Sequence, residues 1–293
     1  MAVGSPPLEY PWANRGPTYT GGYGEIDGGN FNYEMDATII EVAFHSNAED
    51  AALMRDPKAR NAIARASYHA VIKYMNQFDT NDLVPLTFLP EPPNNPRAIA
   101  NSNGITLSWN VPVNQSGSSS ATNYVIYSST NGYGFGNAVS VGNVLTYTFT
   151  NLLADKDYYF RVVAANAGGQ SFSAEVVGCR RSSIPNAPKV LFINAFSRFD
   201  RTLNLLQSTV AESYSPPGNS GTMERVNPRA NNSFEYVVQH GQAISAANSA
   251  FDSCGRMAVT NGTIKMTNYP VVIWAAGAEL VNTIDSTAQN LIT

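Results

Sequence analysis

Few residues in this chain could do chemistry, because it holds only three histidines and two cysteines among 293 residues. Cys254 follows a predicted strand, where a nucleophile could lie, and His240 could act as its base. No long helix is predicted after Cys254, so a buried, unreactive thiol is the competing interpretation. Cys179 and Cys254 match neither a zinc motif nor a disulfide framework. They could be two free thiols or one bridge.

A carboxylate, Glu41, is the second candidate, and it lies in the apolar and β-branched run 37–44, which predicts a strand. Asn47 is predicted to cap a short helix over 48–55. A longer helix is predicted to begin at Pro57, because proline is favoured in the first turn of a helix. Its apolar residues recur mostly at steps of three and four, which predicts one buried face; they are Ile63, Ala66, Ala70, Val71, Tyr74 and Phe78. On these grounds alone, Glu41 could simply make a structural hydrogen bond at the end of its strand.

The order of these features resembles the C-terminal end of bacterial zinc-dependent N-acetylmuramoyl-L-alanine amidases, which cut peptidoglycan between sugar and stem peptide. The resemblance is carried by residues 40–50, Leu53, residues 55–57 and residues 63–64. It implies that Glu41 is the general base and acid beside the metal.

The same resemblance implies a zinc site whose two histidines and one glutamate come from strands upstream of Glu41. The 40 residues before Glu41 contain no histidine. His45 is not expected to be a ligand, since the family usually has leucine or isoleucine there. Because a catalytic zinc needs three protein ligands, we expect zinc in the parent family, no metal or other cofactor in this chain, and no activity of the chain alone.

The middle of the chain predicts a β-sandwich, because strand patterns alternate with turn signals from residue 105 to residue 166. This segment resembles a fibronectin type III domain. The resemblance is carried by Trp109, by Leu152 with Tyr158 six residues later, and by the strand end at 161–169. It implies that Trp109 fills the core and that Tyr158 bonds to backbone near Leu152. Aromatic residues in the glycine-rich stretch 131–136 could stack on sugars or pack on the sheet edge.

The last third predicts strands alternating with helices, which is typical of a parallel α/β sheet. Strands are predicted at 189–194, near 251–254 and at 269–276, with helices over 233–248 and from Asp285 to the end. A long polar loop that includes 215–221 is predicted between the first strand and the first helix. The segment resembles part of a flavodoxin-like or amidotransferase-like domain, as found after fibronectin modules in some secreted bacterial hydrolases. Three strands where five are usual would leave an exposed sheet edge.

Composition narrows the range of partners. The net charge is −4, the pI is about 5.4 and the only basic doublet is 180–181, so no nucleic-acid partner is expected. The longest apolar runs have the length of strands, which predicts no transmembrane segment. No positively charged n-region or apolar h-region opens the chain, so no signal peptide is predicted.

Together these patterns predict a multidomain mosaic. It comprises an amidase-like α/β fragment over 1–82, a proline-rich linker over 83–96, an all-β fibronectin type III sandwich over 97–182, a linker over 183–188 and a partial parallel α/β domain over 189–293. The main hypothesis is a fragment of a secreted bacterial cell-wall hydrolase that acts as an amidase on peptidoglycan, with the parent protein secreted or at the cell surface. The alternative is a non-enzymatic cell-surface binding or spacer protein built around the fibronectin type III module. A third is a hydrolase centred on the α/β domain, with Cys254 as its candidate nucleophile. The expected partner is peptidoglycan or a cell-surface glycan.

Overall fold

The computed structural model describes residues 37–78, 84–115, 117–196, 201, 204–209, 221–225, 235–277 and 283–292. The chain divides into two compact units, one from Met1 to Ser67 and one from Tyr68 to Thr293. In the part of the chain described here, no helix is long and apolar enough to span a membrane.

The first unit holds helix α1 (Ala48–Arg55) and the start of helix α2 (Pro57–Phe78). The predicted cap is confirmed, because the Asn47 side chain accepts hydrogen bonds from the backbone N–H groups of Glu49 and Asp50. The predicted strand over 37–44 is wrong, since these residues have no regular secondary structure. A strand needs a hydrogen-bonded neighbour, and none of the described residues pairs with this stretch. Ile40 is accordingly 56% exposed.

The predicted buried face of α2 is also wrong. Only Pro57 and Ala59 of this helix are buried, while Val71 and Phe78 are more than half exposed. Helical periodicity shows that apolar side chains share a face, but it does not supply the surface that would cover them.

The second unit is built on two antiparallel layers of strands. One layer pairs β1, β2 and β5, and the other pairs β3, β4, β6, β7 and β8. The bounds are β1 (Asn94–Asn101), β2 (Gly104–Asn110), β3 (Asn123–Ser129), β4 (Gly136–Gly142), β5 (Thr146–Phe149), β6 (Asp157–Asn166), β7 (Gly169–Ser173) and β8 (Val177–Arg180). The strands predicted at 105–109, 124–128, 146–149 and 158–166 are confirmed. Strand β1 begins at Asn94, inside the stretch 83–96 that the sequence predicts to be a linker.

The sandwich has its own apolar core between the two layers. Trp109 is 1% exposed and packs on Tyr124, with a ring-centroid separation of 5.4 Å. Leu152 packs against the same core. The hydroxyl of Tyr158 accepts a hydrogen bond from the backbone N–H of Leu153 at 3.1 Å. The tyrosine therefore fastens the loop before β6 to the core.

Replacing Tyr158 with phenylalanine keeps the ring in the core and removes this hydrogen bond. We expect a loss of about 1 kcal/mol in the free energy of unfolding, because the Leu153 N–H loses its partner. Urea denaturation followed by tryptophan fluorescence measures the difference. Tyr133→Phe is the matched control, since Tyr133 is 59% exposed. Equal stability of the two variants would contradict the role given to Tyr158.

Three further strands pair in parallel, as predicted. Strand β9 (Lys189–Asn194) lies between β12 (Ala250–Gly255) and β13 (Val271–Ala275). Helix α3 (Tyr236–Ala246) packs with an apolar cluster that includes Phe192 and Phe251. Helix α4 (Arg256–Thr260) packs with a second cluster that includes Leu191 and Cys254. Since side chains alternate across a strand, the two helices cover opposite faces of the parallel strands.

Two smaller elements complete the described chain. Strands β10 (Leu205–Thr209) and β11 (Gly221–Arg225) pair antiparallel in a stretch predicted to be a polar loop; residues 211–220 of that loop lie outside the described residues. Helix α5 (Ser286–Ile292) begins after Asp285, whose side chain accepts a hydrogen bond from the N–H of Ala288.

The parallel strands do not form a separate layer, and this corrects the expectation of an independent flavodoxin-like domain. Strand β12 pairs antiparallel with β1 through Arg97 and Ala98, and with β8 through Arg180. It therefore joins the two layers of the sandwich into one sheet of eleven strands. The sandwich covers the β12 side of the parallel strands, whereas β13 pairs only with β9 among the described strands and remains an edge strand.

Candidate functional site

The structure does not gather the predicted amidase residues into a site. Glu41 and His45 are both exposed, and both lie in the irregular stretch before α1. Among the residues described, no group of three or more histidines, cysteines or acids is placed to hold a metal ion.

Cys254 and His240 do not form a nucleophile and base. The His240 ring packs on Phe192 at 4.9 Å and its Nδ1 contacts the Tyr236 carbonyl, on the α3 face of the sheet. Cys254 belongs to the cluster on the α4 face. Both cysteines are free and buried, and burial raises the pKa of each thiol well above its usual value. These are properties of structural thiols.

Strand β12 meets β1 and β8 at a junction that we call the seam. It comprises Asp252 and Ser253 of β12 with the residues that they bond, and its centre is the buried carboxylate of Asp252. Its Oδ1 accepts hydrogen bonds from the Ala100 N–H at 2.7 Å and from the Cys179 thiol at 3.5 Å. Its Oδ2 accepts from Lys189 Nζ at 2.5 Å and from the Tyr269 hydroxyl at 2.9 Å. Asp252 is 0% exposed. A buried carboxylate is costly unless it is paired with a cation and hydrogen-bonded, and here Lys189 supplies the cation while the other donors fill the remaining acceptor positions.

The next residue, Ser253, makes the same kind of contact on the other layer. Its hydroxyl accepts a hydrogen bond from the Gly178 N–H at 2.7 Å and donates one to the Gly178 carbonyl at 2.6 Å. The backbone pairing of β12 with β1 and with β8 covers only a few residues, and side chains of β12 make hydrogen bonds to further backbone groups of both strands.

A surface groove of about 480 Å³ opens beside this seam. Its lining comes from strand β1 and from the segment after α4: Ile99, Gly262, Thr263, Ile264, Lys265, Asn268 and Tyr269. The segment is held by a hydrogen bond from the Ile264 N–H to the Ala258 carbonyl and by a 3₁₀ turn over Met266–Asn268. The Tyr269 hydroxyl is held by Asp252. Desolvation, then the Asp252 charge, raise the pKa of Tyr269, so it stays a neutral donor.

A second polar group lies at the carboxyl ends of the parallel strands. The carboxylate of Glu175 accepts a hydrogen bond from Asn194 Nδ2 at 2.6 Å and lies directly against Gly255. A Cβ at position 255 would stand only 2.1 Å from Glu175 Oε1, so a larger residue there would have to displace the end of the Glu175 side chain. Desolvation raises the pKa of Glu175 to about 8, and the bond from Asn194 opposes that shift.

Comparison with known proteins identifies the sandwich. The family model described as "Fibronectin type III domain" matches residues 91–179. Residues 91–179 form a fibronectin type III domain. The solved structures similar to this chain include the FN5 domain of Drosophila Lar, with 24% identity over 33% of this chain and 100% of that chain and a TM-score of 0.27. They also include the twitchin kinase region from C. elegans, with 29% identity over 32% of this chain and 17% of that chain and a TM-score of 0.29.

A curated relative extends the similarity beyond this domain's length. The Kelch domain-containing protein SSO1033 of Saccharolobus solfataricus is 33% identical over 132 residues, which is 45% of this chain and 17% of that protein. The chain thus matches less than a fifth of this relative. Nothing in these comparisons supports the amidase resemblance or the flavodoxin-like one.

The glycine-rich loop of the fibronectin type III domain does not present a pair of aromatic rings. Tyr133 is exposed, but Phe135 packs with the apolar cluster below α3. The Arg161 guanidinium lies over the Phe135 ring, 4.1 Å from its centroid. Of the two interpretations of this loop, the structure therefore supports packing on the sheet edge for Phe135.

Sequence reasoning missed the seam residues Asp252, Lys189 and Tyr269. One signal was available, because an aspartate inside an apolar strand needs a cationic or hydrogen-bonding partner. The partners lie 63 and 17 residues away along the chain, so the sequence alone did not show which groups they are.

Proposed function

We propose that this chain is a non-enzymatic binding protein that acts at the cell surface and is built around its fibronectin type III domain. Its partner in this proposal is a glycan of the cell surface, peptidoglycan included. One observation carries the proposal: the fibronectin type III domain and the parallel strands belong to the same sheet. A surface mounted on one continuous sheet is held rigid before a ligand arrives, which lowers the entropy cost of binding.

The properties of the seam support binding rather than turnover. The polar groups of Asp252, Lys189 and Ser253 are occupied by one another or by backbone groups of the sandwich. The thiols of Cys179 and Cys254 are held protonated by burial. The seam residues and the two thiols therefore serve to stabilise the fold. The exposed residues beside them, such as Lys265 and Asn268, can contact a ligand.

Co-sedimentation of the full chain with isolated peptidoglycan sacculi tests this proposal. We expect the chain to pellet with the sacculi in a saturable manner, to release no soluble fragments, and to do so equally with a metal chelator present. Release of fragments that stops in Glu41→Gln would favour the amidase hypothesis instead. Failure to pellet with sacculi or with any other cell-surface glycan would overturn the proposal.

A further inference from the structure

The groove beside the seam combines an aromatic side chain, an apolar side chain and several polar groups. Tyr269 supplies an aromatic wall and Ile99 an apolar one, while Thr263, Lys265 and Asn268 supply polar groups. Its volume of about 480 Å³ lies within the range of small-molecule sites. A sugar ring has the matching chemistry, with apolar C–H faces and a rim of hydroxyl groups.

The aromatic wall is fixed before any ligand binds. The Tyr269 hydroxyl donates to Asp252, and Asp252 is itself held by Lys189 and by the Ala100 N–H. The ring therefore cannot turn away from the groove without breaking its hydrogen bond to the buried Asp252 carboxylate. Preorganisation of this kind favours binding, because little side-chain entropy remains to be lost.

The polar side of the groove carries the positive charge of Lys265. Across the described ranges, neither the Lys265 ammonium nor the Asn268 side-chain amide has a hydrogen-bond partner, and both residues are exposed. None of the seven described residues that line the groove is acidic, and the nearby Asp252 forms an ion pair with Lys189. A ligand that places a carboxylate on Lys265 would therefore gain a charge-assisted hydrogen bond at little cost.

We infer that this groove binds an acidic saccharide, with the sugar ring between Tyr269 and Ile99 and its carboxylate on Lys265. Asn268 offers an amide donor and an amide acceptor to the ring hydroxyls. This inference rests on the proposed function and names the ligand class and the surface that it would use.

Titration of the full ¹⁵N-labelled chain with glucuronic acid, and separately with glucose, tests the inference. The two sugars differ in the carboxylate at one carbon. We expect glucuronic acid to shift the backbone resonances of residues 262–269 in a saturable manner, with glucose at least about tenfold weaker. Shifts that map elsewhere, or equal binding of the two sugars, would overturn the inference.

The variant Lys265→Gln removes the charge and keeps the length of the side chain. It should weaken glucuronic acid binding by about tenfold and leave glucose binding unchanged. Lys58→Gln is the matched control, because Lys58 is exposed on the first turn of α2. Identical affinity of Lys265→Gln and the unaltered chain would contradict the role of Lys265.

The outcomes separate this inference from the proposed function. If Lys265→Gln still pellets with sacculi as the unaltered chain does, the groove is not the binding surface, although the chain remains a glycan-binding protein. If the unaltered chain binds neither sacculi nor other cell-surface glycans, the proposed function itself is wrong.

Discussion

Asp252→Asn is expected to lower the free energy of unfolding by about 3–5 kcal/mol, the largest effect of any single change considered for this chain. The substitution keeps the shape of the side chain and removes its charge. Lys189 would then lose its ion-pair partner in the seam, and breaking one side of a buried pair costs about this amount. Urea denaturation at neutral pH measures the change.

Two further variants make this prediction specific. Asp155→Asn is the same substitution at an exposed turn residue. Because asparagine can still accept the hydrogen bond from the Ser183 N–H and the site is open to solvent, it should cost no more than about 1 kcal/mol. The double variant Asp252→Asn, Lys189→Met removes both charges, so its loss should be clearly smaller than the sum of the single losses. Strict additivity would mean that the Asp252–Lys189 pair does not hold the seam.

Glu175→Gln is expected to stabilise the chain at alkaline pH, by on the order of 3 kcal/mol at pH 8. The folded chain holds the pKa of this carboxyl at about 8, above its ordinary value of 4.5. Between these two values the unfolded chain ionises while the folded chain keeps the proton. The contribution of Glu175 to stability is therefore complete below pH 4.5 and is lost as the pH rises toward 8.

Thermal or urea unfolding at pH 4 and at pH 8 tests this dependence. Glutamine cannot ionise but can still accept the hydrogen bond from Asn194, so the gain should be near zero at pH 4 and large at pH 8. Glu49→Gln is the control, since Glu49 is exposed on the first turn of α1. A gain of equal size at both pH values would show that the carboxyl of Glu175 is not desolvated as described.

Local sequence patterns predicted the elements of the second unit well. Strand alternation indicated β2, β3, β5 and β6, and continuous apolar runs indicated β9 and β13, because side-chain period and burial are properties of a single segment. The resemblance of the middle segment to a fibronectin type III domain likewise depended on residues inside that segment.

The joining of the segments could not be predicted in the same way. Strand β12 is short and wholly buried, which would suit the interior of any sheet, and nothing in its sequence says that β1 and β8 are its partners. Its pairing depends on Asp252 and Ser253 reaching Ala100 and Gly178, which are far away along the chain. The strand predicted around Glu41 failed for a related reason, since none of the described strands pairs with residues 37–44.

Native-state hydrogen exchange of the full chain tests the central claim, that the fibronectin type III domain and the parallel strands share one sheet. We expect amides of β1, β8 and β12 to exchange with one common opening free energy, equal to that of global unfolding. If β12 opens with a markedly lower free energy while β1 and β8 stay protected, the parallel strands unfold independently and the two parts do not share one cooperative sheet.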